Sequence, residues 1–187
     1  MQHLMIDLET LGTRADSIIL SIGAVKFGLE SGEIDNNGFY GSIDIESNLD
    51  AGRRMEEDTL LWWLKQPAAA QQVFHEDKLP LEQILTDLSD WLGHDDWLVW
   101  AKGPNFDTAI LEHAYKSFGM TVPWKFWNTR CVRTYQGLPG AKNIRVDPVG
   151  MKHNALSDAF QQAQTIQRIH AALFAGATNS MVKTKVK

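Results

Sequence analysis

His3-Leu4-Met5-Ile6-Asp7-Leu8-Glu9-Thr10 is the stretch from which the rest of the chain is read. Residues 3–8 are mostly apolar and read as a short β-strand that ends on acids. Side chains alternate faces along a strand, so Asp7 and Glu9 project together, while Met5, Ile6 and Leu8 are expected to be buried. The pair falls at the C-terminal end of the strand, where open α/β sheets hold their ligands. Two carboxylates on one face repel each other unless a cation lies between them. Taken alone, the same spacing is equally at home on a solvent-facing strand edge.

Working outward, Ser17–Phe27 is rich in β-branched residues and reads as a second strand. Turn residues follow from Gly28 to Glu33, and Phe39–Ile45 alternates as the third strand of a meander. Asp58–Lys65 and Leu81–Leu92 carry helical spacing, with Pro67 and Pro80 near helix starts. Asp96–Ala101 is a short apolar strand closed by the turn at Gly103-Pro104, and 105–118 reads as a helix. An apolar piece at Trp124–Trp127 precedes a helix predicted from about Thr129. Residues 136–152 read as a mobile loop, and Ala155–Phe174 as a long helix. Three strands followed by alternating helix and strand predict an α/β domain with a mixed sheet.

The 187 residues are the size of one domain, and 44% hydrophobic with 10% aromatic content is enough for a core. The expected division is a single domain over 1–175 and a flexible basic tail over 176–187. A net charge of −5 argues against a protein that coats duplex through a basic face, yet leaves room for nucleic acid at a local site. Cys131 is the only cysteine, which excludes an internal disulfide and any multi-cysteine metal site. No apolar run approaches the ~18–20 residues of a membrane span, and the N-terminus has no signal-like pattern. A cytoplasmic location is expected.

Two further groups carry chemistry. Asn105-Phe106-Asp107 follows the strand and turn that end at Pro104, a position that also suits simple helix capping. In His153-Asn154-Ala155-Leu156-Ser157-Asp158, the His and the Asp are five residues apart, about 500° around a helix. They meet only if His153 lies on the loop, Asn154 near the cap and Asp158 in the first turns. Four carboxylates (Asp7, Glu9, Asp107, Asp158) and one imidazole then sit at strand ends and helix starts of one domain. That is the donor set two Mg²⁺ or Mn²⁺ ions require, whereas zinc would call for sulfur or closely spaced His.

With these residues in view, the chain resembles the DEDDh 3′–5′ exonucleases. Ile6-Asp7-Leu8-Glu9-Thr10 is similar to their first motif, Asn105-Phe106-Asp107 to the second, and His153 with Asp158 to the third. Asn128-Thr129-Arg130-Cys131-Val132-Arg133 resembles the segment often found between the second and third. Trp62-Trp63-Leu64-Lys65 and Phe126-Trp127-Asn128-Thr129-Arg130 resemble phage DexA-type exonucleases and a related group of bacterial exoribonucleases. One departure is Gly103, where many members carry Asn four residues before the second-motif Asp.

The resemblance implies a ribonuclease H-like mixed β-sheet flanked by α-helices, and two-metal hydrolysis of single-stranded DNA or RNA from a free 3′ end to nucleoside 5′-monophosphates. Asp7 would bridge two Mg²⁺ or Mn²⁺ ions, Glu9 and Asp158 would hold the ion on the water side, and Asp107 the other. His153 would take the proton of the attacking water, its ordinary pKa near 6.5 suiting a general base. Thr10 and Leu11 are expected to touch the terminal nucleotide, with Leu11 as a wedge, and Asn105 to contact substrate. Trp62 or Trp63 would stack on a base, but adjacent helical residues lie about 100° apart, so one of them is core. Arg130 and Arg133, three apart on the predicted helix, suit phosphate or surface acids equally. Lys142, Arg145 and Lys152 would steer the strand, while Lys183, Lys185 and Lys187 serve solubility. Exposed Trp and the 29–54 insert leave room for a homodimer. The competing readings are a catalytically weak nucleic-acid-binding module and a short-oligonucleotide hydrolase of the same fold.

Overall fold

The strand that ends on Asp7 and Glu9 is the central strand of its sheet. The computed structural model describes residues 2–93, 96–144, 146, 147, 150 and 153–174. The steering residues Arg145 and Lys152 and the basic tail 176–187 lie outside the described residues. In chain order the elements are β1 (His3–Thr10), β2 (Ile19–Phe27), β3 (Phe39–Ser42), α1 (Ile45–Asp50), α2 (Glu57–Trp63), α3 (Leu81–Leu92), β4 (Leu98–Ala101), α4 (Asp107–Ser117), β5 (Thr129–Cys131), α5 (Val132–Gln136) and α6 (Ala155–Phe174). Short 3₁₀ turns cover Ala70–Phe74 and Phe126–Asn128. The sheet order is β3-β2-β1-β4-β5. β2 pairs antiparallel with β1 and β3, while β1–β4 and β4–β5 are parallel, so the sheet is mixed.

The alternation of β1 sorts its side chains into two layers. Leu4, Ile6 and Leu8 enter a cluster with Ile84, Leu88 and Leu92 of α3 and Ile110, Leu111 and Ala114 of α4. Met5 turns the other way, into a cluster with Ala159, Ala163 and Ile166 of α6. Asp7 and Glu9 continue that second face beyond Met5, so α6 covers the acids' side of the sheet. No helix among the described residues is long and apolar enough to cross a membrane.

Two sequence expectations are corrected. The third strand ends at Ser42 rather than Ile45, because the Asp44 carboxylate accepts from Ser47 N at 2.6 Å and caps α1. The helix predicted from Thr129 begins only at Val132. Thr129–Cys131 form strand β5 instead, paired with Val99–Ala101, and Cys131 Sγ caps α5 by accepting from Thr134 N. Arg130 and Arg133 therefore share no helix.

α6 lies unusually close to the sheet at Gly23. A Cβ at this position would collide with the Ala155 carbonyl group and with Leu156 N, both backbone atoms of the first turn of α6. Gly23 pairs directly with Asp7 across the β1–β2 ladder. The missing side chain thus sets the height of α6 above the acids. Gly23→Ala should lift the helix and destabilise the protein by ~1–3 kcal/mol or more, as overpacking does. A urea midpoint equal to that of the unsubstituted protein would show that the helix height is not set here.

Candidate active site

Side chains up to 155 positions apart in the chain meet at the C-terminal end of β1. The parallel β1–β4 pairing runs only from His3 to Met5, so the later N–H groups of β1 are free of β4. Leu8 N takes the carboxylate of Asp107 instead, at 3.2 Å to Oδ1. Asp107 is the first residue of α4, buried, where the helix dipole favours an acid. The carboxylate points back to β1, and no side chain of the preceding Phe106 caps the helix.

The third segment arrives on α6. Asn154 Oδ1 accepts from Ser157 N at 3.0 Å, which caps the helix and starts it one residue later. Asp158 lies in the first turn and accepts through Oδ2 from His153 N at 3.2 Å. That bond helps hold His153 in the left-handed region, φ 62°, rare for a non-glycine residue. Its ring stands edge-on to Trp62, with centroids 5.1 Å apart, and 6.2 Å from Trp63. Ligand atoms of Glu9, His153 and Asp158 all lie within 4.8 Å of one another. One turn after Asp158, Gln162 Nε2 donates to Asp7 Oδ1 at 2.6 Å.

Over residues 2–170 the sequence matches the family described as the 3′-5′ exoribonuclease Rv2179c-like domain. The chain belongs to this family. The fold is also that of E. coli exonuclease I in complex with a dA16 oligonucleotide, with a TM-score of 0.67 at 9% identity. The match covers 92% of this chain and 41% of that one, so the chain spans about two fifths of exonuclease I. The nuclease domain of 3′hExo, a DEDDh family member bound to rAMP, aligns with a TM-score of 0.59 at 14% identity, covering 90% of both chains. Cell-death related nuclease 4 aligns with a TM-score of 0.53 at 11% identity, covering 90% of this chain and 63% of that one. Among curated proteins no sequence relative matches. The chain thus carries a domain of a 3′-5′ exoribonuclease family in the mixed-sheet fold shared with the nuclease domain of 3′hExo, a DEDDh family member.

The acids at the end of β1 crowd one another. Burial raises Asp7 well above the ordinary carboxylate range, and the charges of Asp107, Glu9 and Asp158 push it further, against the Gln162 hydrogen bond. Glu9 is raised to about 8 by burial and then by Asp158 and Asp107. Asp107 reaches about 7 through burial, although the Leu8 hydrogen bond and the charges of Arg133 and Lys102 oppose the shift. Such a set holds its protons or takes up a cation. Hard oxygen donors with one imidazole suit a divalent ion such as Mg²⁺ or Mn²⁺.

The substrate-contact expectations fare unevenly. Trp62 is 41% exposed on the rim beside His153. Trp63 is 1% exposed and donates from Nε1 to Thr10 O at 2.9 Å, so it is core and offers no face to a base. Leu11, 2% exposed, packs in one cluster with Ile18, Leu20 and Trp63, which removes it as a wedge. The Thr10 hydroxyl is buried and donates to Gly12 O at 2.7 Å. Asn105 is exposed in the turn two residues before Asp107. Gln162 went unnoticed in the sequence, although its i+4 spacing from Asp158 puts both on one helix face.

The raised acids fix a pH dependence. In the unfolded chain Glu9 and Asp107 ionise near 4, in the fold only near 8 and 7, so the folded state binds more protons in between. Stability of the EDTA-treated protein should therefore fall as pH rises from about 4 through about 8, and Asp7, raised in the same direction, adds to the fall. Asp107→Asn, which keeps an acceptor for Leu8 N, should recover roughly 2–4 kcal/mol of it at pH 8. Thermal melts across this range check both, and a flat profile for the parent protein would show that burial does not raise these acids in the fold.

Proposed function

We propose that this exonuclease removes nucleoside 5′-monophosphates from the 3′ end of single-stranded RNA. The observation that carries the reading is the meeting of Asp7, Glu9, Asp107, Asp158 and His153 at the end of β1. Asp7, Glu9, Asp107 and Asp158 are the residues that would hold two divalent cations. The donor set fits them, because three of the four carboxylates carry raised affinity for a positive charge, here only a proton. Bound there, Mg²⁺ or Mn²⁺ supplies Lewis-acid stabilisation of negative charge on the phosphate and on both the entering and the leaving oxygen.

The protein's own groups supply orientation and proton transfer. His153 accepts the proton of the attacking water, its ring held edge-on by Trp62 and Trp63 and its backbone tied to Asp158. Gln162 restrains the Asp7 carboxylate through Oδ1. The exposed face of Trp62 stacks on the terminal base, at ~1–3 kcal/mol. RNA is favoured over DNA by the family's description as an exoribonuclease, although E. coli exonuclease I binds a dA16 oligonucleotide. The single half-buried cysteine suits a reducing compartment such as the cytoplasm.

A time course on 3′-labelled and 5′-labelled single-stranded RNA and DNA of equal sequence, with a dinucleotide alongside, tests the reading. Label should leave the 3′-labelled RNA at once as a mononucleotide, and the 5′-labelled strand should shorten as a ladder, with long RNA preferred to the dinucleotide. Internal cuts, or equal attack on a circular strand, would refute exo-action. Asp7→Ala and Asp158→Ala should abolish turnover. His153→Ala should slow it about 10²–10⁴-fold while Mg²⁺ still raises the melting temperature. An active Asp7→Ala protein would remove the proposed site.

A further inference from the structure

Two cations stand beside the acids without a role in the chemistry above. Lys102 directly follows β4, and Arg133 lies two residues beyond the end of β5. Ala101 and Cys131, the last residues of those strands, are paired. β1, β4 and β5 run parallel, so both cations leave the sheet at the end that carries Asp7 and Glu9. Gly103, φ 114°, carries no side chain, and a Cβ there would stand 2.6 Å from Arg133 Nη1. The guanidinium therefore lies against the turn that leads into Asp107. Lys102 shares a cavity of about 130 Å³ with Gln162, the residue bonded to Asp7, and with Gln136, Gln161 and Thr165.

Both side chains belong to exposed residues. Charge balance alone would bring them onto the carboxylates. Yet among the described residues neither lies within 4.0 Å of a carboxylate oxygen, and the ion pairs involve other residues. Their charges still reach Asp107 through space. The two sides of the acids thus differ. Trp62 and Trp63 wall the β2 side, where Trp63 packs with Ile18 and Leu20. The β4–β5 side offers a planar bidentate donor and a point charge, the pair of groups that suits phosphate.

We propose that Lys102 and Arg133 form a phosphate subsite for the nucleotide upstream of the scissile bond, so that the exonuclease selects the end of a polynucleotide over an isolated nucleotide ester. The inference rests on the nuclease reading above. A terminal nucleotide seated against Trp62 leaves its strand to cross the acids toward β4 and β5, where the next backbone phosphate meets the two cations. A lone nucleotide ester has no such phosphate and gains nothing from them.

The test compares a labelled oligo(U) strand with the p-nitrophenyl ester of thymidine 5′-monophosphate, which has no upstream phosphate. In Lys102→Ala/Arg133→Ala, the ratio of kcat/KM for strand over ester should fall at least about tenfold, mostly through KM. The slope of log(kcat/KM) for the strand against log salt should become shallower by about 1.4, from two contacts at ~0.7 each. Arg133→Lys should recover most of the slope. Single Lys102→Gln and Arg133→Gln substitutions should each show about half the change, and circular dichroism checks that every variant is folded. A ratio within twofold of the parent with an unchanged slope overturns the subsite, as does a parent protein that cleaves the ester but not the strand. If the parent cleaves neither substrate, the nuclease reading fails and the subsite falls with it.

Discussion

The site depends on one close contact, the backbone of the first turn of α6 lying on Gly23 of β2. Gly23 sits opposite Asp7 in the ladder, so the place where the helix comes nearest to the sheet is also where the acid cluster is built. A helix held at this height brings Gln162 to 2.6 Å from Asp7 and keeps Asp158 near Glu9. Any bulkier residue would raise the helix and open both contacts together. The apolar face of α6, with Ala159, Ala163 and Ile166 against Met5 and Val25, supplies the burial that keeps the contact closed. Packing energy from the buried residues of the helix thus stabilises an unfavourable concentration of charge beside them.

That concentration is tolerated because most of its members have a fixed neutral or positive neighbour. Leu8 N donates to Asp107, the Gln162 amide to Asp7, and His153 N to Asp158. Glu9 draws no such bond in the cause of its shift, which comes from burial and from two other acids. Hydrogen bonds from protein donors lower the cost of bringing carboxylates together without neutralising them, so the site retains its affinity for cations. Crowding of this kind serves chemistry rather than stability, a division common at functional sites.

Much of this was legible in the sequence because it is local and periodic. The period-2 alternation of His3–Thr10 located the acids on one face, and the helical pattern of Ala155–Phe174 matched α6 to the residue. Asn154 reads as a cap from its type and position, which in turn sends His153 to the loop. What escaped is set by contacts distant in the chain. Thr129–Cys131 is a strand only because β4 offers a free edge, since three residues carry too little pattern of their own. Leu11 follows the acids and looks available to substrate, but Trp63 from α2 packs with it and seals it off. The Trp62-Trp63 step was resolved as one rim and one core residue, as a 100° turn demands, yet which was which depended on the acceptor that Thr10 O provides. Gln162 is a buried polar residue one turn after Asp158, a signal that acquires meaning only once Asp7 is known to lie opposite.

The distribution of charge reconciles an acidic chain with a polyanionic substrate. A net charge of −5 repels nucleic acid close to the surface, while salt screens that repulsion beyond a Debye length of about 8 Å. On the proposed reading attraction is short-range and local: cations drawn into the acids, Trp62 for a base, and Lys102 with Arg133 at the open side. A strand that is not threaded through all of these gains little, since each contact alone offsets only part of the repulsion. The same negative field that discourages loose association along a duplex leaves an unpaired end, narrow enough to reach the acids, as the form of nucleic acid that gains most from binding. Exo-action on single strands is, on this view, enforced as much by where the protein is negative as by where it is positive.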